Sequence, residues 1–382
     1  MKITDSILWV GVHDHAIDLF EGQYAVPKGM SYNSYVILDE KCAVMDTVDA
    51  RFAEEWLGKV DAALGGRQPD YLVVQHVEPD HSGSILRFLE KYPKAVLAAT
   101  PKAFPMLKSF YGIEPEEKLE AAAGASLELG KHSLSFIPAP MVHWPEVTLT
   151  YDAAEKVLFS ADAFGKFGAW DAEEPWIDEA RRYYIGIVGK FGNPVQALLK
   201  KAAALEIRNI CPLHGPILRE DLGQYLALYD AWSAYRPEEP GVLIAYTSVY
   251  GHTREAAELL GEKLRAAGTK TVVMDLARSD LAEAQAQAFR FDRLVLASTS
   301  YNGGVFPRMR QFADDLKEHG FQGRKVGIIE NGSWAPSAAK TICERLEGCK
   351  NLTVLEPKVT IRSALDEASL GALDALAKAL AE

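Results

Sequence analysis

Apolar residues recur along this chain in two different rhythms. From residue 242 onward, short continuous runs alternate with helical stretches: Val242–Tyr246, Thr271–Met274, Leu294–Ala297, Val326–Ile329 and Leu352–Leu355, with Ala364–Ala381 closing the series. Runs that are apolar on both faces, separated by helices, predict a parallel sheet covered on both sides. Five such units in about 140 residues predict a doubly wound α/β domain, with its ligand at the carboxyl ends of the strands.

The first half is less regular. Tyr32–Asp39 with Cys42–Val48, Ser126–Leu129 with Ser133–Pro138, and Val147–Tyr151 with Lys156–Ser160 read as hairpins. Helical periodicity appears over Arg51–Leu64, Ile85–Tyr92, Lys102–Tyr111, Asp178–Ala204 and Asp221–Ala234. Hairpins interleaved with helices predict two mixed sheets with helices outside, an αββα sandwich. Between the two rhythms, Tyr235-Arg-Pro-Glu-Glu-Pro-Gly241 sets two prolines and two acids after a helical pattern. Such a stretch reads as an exposed linker. The expected domains are therefore 1–236 and 241–382, joined by a linker at 237–240, and no internal repeat crosses that seam.

Composition removes several classes of function. With 48% hydrophobic and 25% charged residues the chain is globular in character, and its net charge of −12 disfavours nucleic acid and anionic membrane as partners. No uncharged apolar run approaches the 18 or so residues that span a bilayer. The first residues, Met1 to His15, place acids and histidines where a secretory signal needs an apolar core. A cytoplasmic protein is expected. Cys42, Cys211, Cys343 and Cys349 are dispersed with no Cys-x-x-Cys, which argues against a disulfide framework, a zinc finger or a rubredoxin module among these residues.

The strongest chemical signal lies at Gln75-His-Val-Glu-Pro-Asp-His81. The apolar run Tyr71–Val74 leads directly into four potential ligands. On an extended chain, residues two apart face the same side, so His76 and Glu78 can grip one ion. Pro79 then breaks the strand, and the turn can aim Asp80 and His81 at a second ion. Three further candidates follow strands: His143, Asp162 and His214, at steps of 62, 19 and 52 residues. By contrast, His13-Asp-His15 with Asp18 has no later ligand series and reads as surface or hairpin polarity. His132 and His319, flanked by Lys131 and Glu318, are expected to be solvated.

In the second half, Thr247-Ser-Val-Tyr-Gly-His-Thr253 joins the first strand to a helix. Hydroxyls and free backbone N–H groups at a helix N-terminus form a phosphate site. There is no lysine of the nucleoside-triphosphate loop and no G-x-G-x-x-G, so a mononucleotide is favoured. Two later loops, Ser300-Tyr-Asn-Gly-Gly304 and Asn331-Gly-Ser-Trp334, also fall at strand carboxyl ends. Each offers an aromatic ring for stacking, Tyr301 and Trp334.

His-x-Glu-x-Asp-His followed by His143, Asp162 and His214 resembles the metal-site series of the flavodiiron proteins. That family joins a metallo-β-lactamase-like sandwich to a flavodoxin-like five-stranded domain in this order, and the resemblance runs the length of the chain. Hydrolases of the same fold carry His-x-His-x-Asp-His, and Glu78 is the departure from them. The resemblance implies that His76, Glu78 and His143 bind one iron, that Asp80, His81 and His214 bind the other, and that Asp162 bridges them. It makes His81 the least secure ligand. Tyr184, with Tyr183 beside it, matches a family segment near the site. Ser248, Tyr250, Gly251 and Thr253 resemble the family's FMN-phosphate loop, His252 being a variable position, and Thr247, Val249 and the two later loops complete the flavin contacts. The implied activity is reduction of O2 to water, of NO to N2O, or of both. Electrons would come from a separate carrier such as rubredoxin, and the family's assembly is a head-to-tail homodimer or a dimer of dimers. Two other readings compete: a zinc hydrolase with an appended flavodoxin domain, and an electron carrier with an inactive metal site.

Overall fold

The apolar runs of the first half fold into two facing sheets in a computed structural model that describes residues 1–382. One sheet has six strands, in the order Ile7–Trp9, Tyr35–Ile37, Ala43–Met45, Tyr71–Val74, Val96–Ala99 and Lys118–Glu120. The other has five: Ser126–Glu128, Ser133–Pro138, Thr148–Asp152, Val157–Phe159 and Asn209–Cys211. Ile7, Tyr35, Ile37, Met45 and Val73 from the first sheet meet Leu127, Leu134, Phe136, Val157 and Phe159 from the second in one buried layer. Each such aliphatic or aromatic side chain contributes roughly 1.5–3 kcal/mol when fully withdrawn from water. The helix Ala53–Leu64 turns Trp56, Leu57, Val60 and Leu64 inward. The αββα layering follows from these faces.

Parallel pairing places the functional loops at shared sheet edges. Ala43–Met45 runs parallel to Tyr71–Val74, and Val157–Phe159 parallel to Asn209–Cys211. The segments leaving each pair therefore emerge side by side.

Several local expectations are corrected. The stretch 178–204 is not one helix: Trp176–Tyr183 gives way to a wide π turn over Tyr184–Val188, a 3-10 turn over Gly189–Phe191, and a second helix, Gly192–Ala202. Gly186 sits in the π turn against Tyr24, whose hydroxyl donates to its carbonyl at 3.0 Å. A Cβ at Gly186 would lie 2.8 Å from the Tyr24 ring. Second, His132 is buried. Its Nδ1 donates to Asp152 Oδ2 (2.9 Å), its Nε2 lies 2.9 Å from Ser6 Oγ, and Ser6 Oγ donates to Glu155 Oε1 (2.8 Å). Third, His319 is half-buried, donating from Nδ1 to the Asp315 carbonyl (2.7 Å) behind the helix it follows.

The His132 network ties the N-terminal strand to two hairpins, and its charge makes stability depend on pH. The Asp152 hydrogen bond raises the His132 pKa above 6.5. The group thus stabilises the fold fully below its unfolded pKa, and that contribution disappears as pH rises through the higher folded value. We expect His132→Gln to cost about 1–3 kcal/mol at pH 6. The gap between the denaturant midpoints of the two proteins should narrow as pH rises above neutrality; a pH-independent gap would contradict the account.

The chain divides into Met1–Asp230 and Ala231–Glu382. In the second unit the parallel order is Thr271–Asp275, Glu239–Tyr246, Phe291–Tyr301 and Lys325–Asn331, then the fifth position. That fifth strand is split. Thr353–Val354 pairs with Lys325–Val326, and Val359–Ile361 pairs with Ile329–Asn331. Pro357 lies between them and has no N–H to offer a ladder. The expected strand Leu352–Leu355 supplies only the first piece. The 237–240 linker is also shorter than expected. Glu239 and Pro240 already open a strand, because Glu239 is held by Arg290 (2.6 Å) and Lys270 (2.8 Å). No helix is long and apolar enough to cross a membrane.

Candidate metal centre and flavin cradle

The strand Tyr71–Val74 ends two residues before the first candidate ligand, so His76 and Glu78 are not part of the ladder. Glu78 nevertheless keeps an extended backbone (φ −56°, ψ 137°) and caps a one-turn helix, Pro79–Ser82, with proline at its first position. That turn swings Asp80 and His81 away from His76 and Glu78.

The seven candidates converge in two groups. In the first, Glu78 Oε2 lies 3.1 Å from both His76 Nε2 and His143 Nε2, and Asp162 Oδ2 lies 3.3 and 3.1 Å from the same nitrogens. In the second, Asp80 Oδ2 is 3.3 Å from His81 Nε2 and 3.2 Å from His214 Nε2, and the two nitrogens are 3.0 Å apart. Asp162 Oδ1 faces this group, 3.2 Å from His81 Nε2 and 3.8 Å from His214 Nε2. One carboxylate thus presents one oxygen to each group.

These separations fit metal ions. Ligands about 2.0–2.2 Å from a common centre stand about 3 Å from one another. Both oxygens of Asp80 and Oδ1 of Asp162 are buried without a hydrogen-bond donor, so their acceptor capacity is unspent. The imidazoles are also aimed. His76 Nδ1 donates to Glu146 Oε1 (2.7 Å), and His214 Nδ1 donates to the Ser31 carbonyl (2.9 Å), which leaves each Nε2 lone pair facing inward. His81 Nδ1 is buried with no such partner, the one aiming bond missing from the second group. Mixed imidazole and carboxylate donors suit iron.

Electrostatics give the same answer. Burial raises the Asp162 carboxyl, but His76, His81 and His143 outweigh it and hold the group well below the usual range. Burial disfavours the charged forms of His76, His143 and His214 as well, yet the facing carboxylates raise all three, His143 to about 9. The cluster demands positive charge, as protons or as metal.

Several residues around the cluster carry no sequence signal. Glu146 receives both His76 Nδ1 and the Val77 N–H (3.0 Å), while its own carbonyl accepts from Thr100 (2.8 Å). Asp46 Oδ1 accepts the Gln75 N–H (2.7 Å) at the root of the ligand loop, and burial pushes its carboxyl up to about 6. Phe20, Tyr32 and Tyr183 surround the His214 ring at 5.3, 6.0 and 5.6 Å. Tyr32 and Tyr183 are therefore tyrosines beside the cluster, while Tyr184 turns to Tyr229 at 5.1 Å. Of the pair expected near the site, Tyr183 packs on a ligand ring and Tyr184 on Tyr229. Of the excluded histidines, His13 stacks on Trp9 (5.2 Å) and bonds Ser31 Oγ (2.8 Å), and His15 pairs with Asp171 (3.1 Å). Asp14, between them, is buried and meets Arg51 (2.8 Å). None joins the cluster.

In the second unit a cavity of about 610 Å³ opens at the strand carboxyl ends. Its walls come from the three expected loops: Ser248, Val249, Tyr250, His252 and Thr253; Ser300, Tyr301, Asn302 and Gly303; and Asn331, Gly332, Ser333 and Trp334. Thr299, Ala335, Ser337 and Ser363 also line it, the last reaching over from the split fifth strand. Thr247, Gly251 and Gly304 do not. Thr247 is buried against Ser298 (2.9 Å), and the Gly304 carbonyl is taken by Ser337 (2.9 Å). Gly251 caps the helix His252–Ala266 at φ +99°, a conformation that favours glycine, and its N–H donates to Ser248 Oγ (3.1 Å). The first N–H groups of that helix have no intrahelical carbonyl to meet and can receive an anion. Tyr301 and Trp334 are 43% and 88% exposed at the rim, which suits a planar ring lying against them. The fit to a flavin mononucleotide is good: an anion seat, stacking faces, and a volume within the usual range for such ligands.

Comparison with known proteins agrees with both units. Residues 30–215 match the ODP family beta lactamase model and residues 244–375 the flavodoxin model. A nitric oxide reductase of Moorella thermoacetica is 33% identical over 374 residues, covering 95% of this chain and 93% of its own. An anaerobic nitric oxide reductase flavorubredoxin of Vibrio vulnificus is 28% identical, covering 91% of this chain and 72% of its own. Among solved structures, the flavodiiron protein of Giardia intestinalis superposes with a TM-score of 0.94 at 29% identity, covering 100% and 95% of the two chains. The rubredoxin oxygen:oxidoreductase of Desulfovibrio gigas superposes with 0.93 at 25% identity, covering 100% and 97%.

Proposed function

The chain belongs to the flavodiiron proteins, and from that premise we propose that it reduces small gases, two NO to N2O and water, and O2 to two waters. It is an oxidoreductase whose cofactors are FMN and a pair of irons. The observation that carries the reading is Asp162, one carboxylate with an oxygen toward each of two donor groups. In this reading His76, Glu78 and His143 hold one iron, Asp80, His81 and His214 hold the other, and Asp162 bridges. The loop Ser248–Thr253 would seat the flavin phosphate, and Tyr301 and Trp334 would offer faces to its ring. When bound, the irons would supply redox equivalents and open coordination positions, and the flavin a store of electrons.

The protein's own part is positional. Glu146 and Ser31 orient His76 and His214, and the rings of Phe20, Tyr32 and Tyr183 limit water at the second group. Burial, then the charges of Asp162 and Glu78, raise the Tyr183 pKa well above its ordinary value, so this phenol keeps its proton beside the cluster at neutral pH. NO reduction consumes two electrons and two protons, and O2 reduction consumes four of each. A separate small carrier such as rubredoxin would deliver the electrons, since these 382 residues hold no thiolate cluster. A head-to-tail homodimer is the working unit in this reading, and an active monomer on gel filtration would argue against it.

Oxygen and NO electrode traces on anaerobically reduced protein, with parallel iron and flavin assays, test the reading. Zinc in the site together with ester or lactam hydrolysis would overturn it. A second test uses the raised histidine pKa values. Loading metal-free protein with Fe(II) near pH 7 should release protons, because the imidazoles must deprotonate to ligate. Calorimetric titrations in buffers of different ionisation enthalpy count them, and a count of zero would contradict the electrostatic account.

A further inference from the structure

We propose that a second cavity, on the opposite side of the flavin-phosphate loop, binds an adenine nucleotide. It measures about 510 Å³ and shares Ser248, Val249 and Tyr250 with the flavin cavity, so the loop forms a wall common to both. The inference rests on the reading that this loop seats a flavin phosphate.

The far wall comes from the end of the neighbouring strand. Tyr246 and Asp275 close their two strands in register, and the chain then turns through Ala277 and Arg278 into the cavity wall. Arg254, on the first turn of the helix after the loop, completes it; its Nη2 overhangs Gly251, 3.8 Å from where a Cβ would sit. Neither arginine is firmly engaged. The nearest carboxylate to Arg254 is Glu258 at 3.8 Å, and to Arg278 it is Asp275 at 3.8 Å, with the two arginine side chains 57% and 86% exposed.

These groups sort by chemistry. Two arginine forks on the wall of one cavity suit a di- or monophosphate. Asp275 Oδ1 already accepts the Ala277 N–H (3.0 Å), which leaves Oδ2 for a ribose hydroxyl. An acid at the carboxyl end of the second strand of a parallel doubly wound sheet is where dinucleotide folds hold a ribose. The outer face of Tyr250 offers a stacking surface for a base. The volume exceeds what a lone phosphate fills and suits a nucleotide.

The experiment is calorimetric titration of ADP into the FMN-loaded protein. We expect one site per chain, weakened about tenfold or more by Arg278→Ala and by Arg254→Ala, with FMN content unchanged in both. Three results would overturn the proposal: no saturable binding at millimolar ADP, binding only after FMN is stripped, or variants that bind like the parent. If the extracted flavin is FAD and added ADP is excluded, the cavity belongs to the adenylate of FAD, and the free-nucleotide form fails. A folded protein that retains no flavin would instead overturn the reading of the loop itself.

Discussion

Asp162→Ala should yield a protein that keeps its flavin and reduces neither gas. Each oxygen of this carboxylate lies 3.1–3.3 Å from imidazole nitrogens of a different donor group, so its loss weakens both metal positions together. It also removes a buried negative charge that holds the histidines above their ordinary pKa. Removing groups that only support metal ligands typically costs 10–100-fold, and a carboxylate shared by two positions should cost more than about 100-fold in turnover. Iron assay should find at most one ion per chain, and the flavin absorbance should be unchanged, because the flavin loops belong to the other unit. Retention of full activity would remove the two-metal mechanism. Asp162→Asn, with the same shape and no charge, separates lost geometry from lost charge.

The second large effect is expected at Glu146, a residue that binds no metal in this reading. It is buried, takes the His76 Nδ1 proton at 2.7 Å and caps the Val77 N–H. Burial raises its carboxyl, but the His76 bonds prevail and lower it. Glu146→Ala frees His76 to rotate and leaves a buried donor unpaired. Metal affinity should fall about 10–100-fold, and stability should fall by about 3–5 kcal/mol, as for a broken buried pair. Glu146→Gln keeps an acceptor oxygen and should restore most of the stability and only part of the affinity. Competition with a chromogenic chelator reads the first and urea unfolding the second. If both variants bind metal like the parent, Glu146 does not position His76.

The contrast between these residues shows how far the sequence was legible. Asp162 announces itself because its neighbours in the ligand series share its chemistry and follow strand ends in a recognisable order. Glu146 lies 70 residues from His76 and Ser31 lies 183 from His214, and nothing local marks either as a partner. The burial of His132 is hidden for the same reason. Its flanking lysine suggested solvent, but Asp152 and Ser6 reach it from other strands. Tyr183 and Tyr184 meet different rings at the start of a π turn, in which Gly186 packs on Tyr24. Neither periodicity nor composition contains that contact.

By itself the sequence determined the two-part architecture, the seven candidate ligands and most of the flavin loops. Each of these is written locally, in strand periodicity, ligand spacing and turn chemistry within a few residues. The tertiary structure decided which imidazole nitrogen faces inward, which tyrosine adjoins the cluster, where the fifth strand breaks, and that one carboxylate faces two donor groups. Those features depend on distances between residues far apart in the chain, and such distances exist only once the sheets have packed.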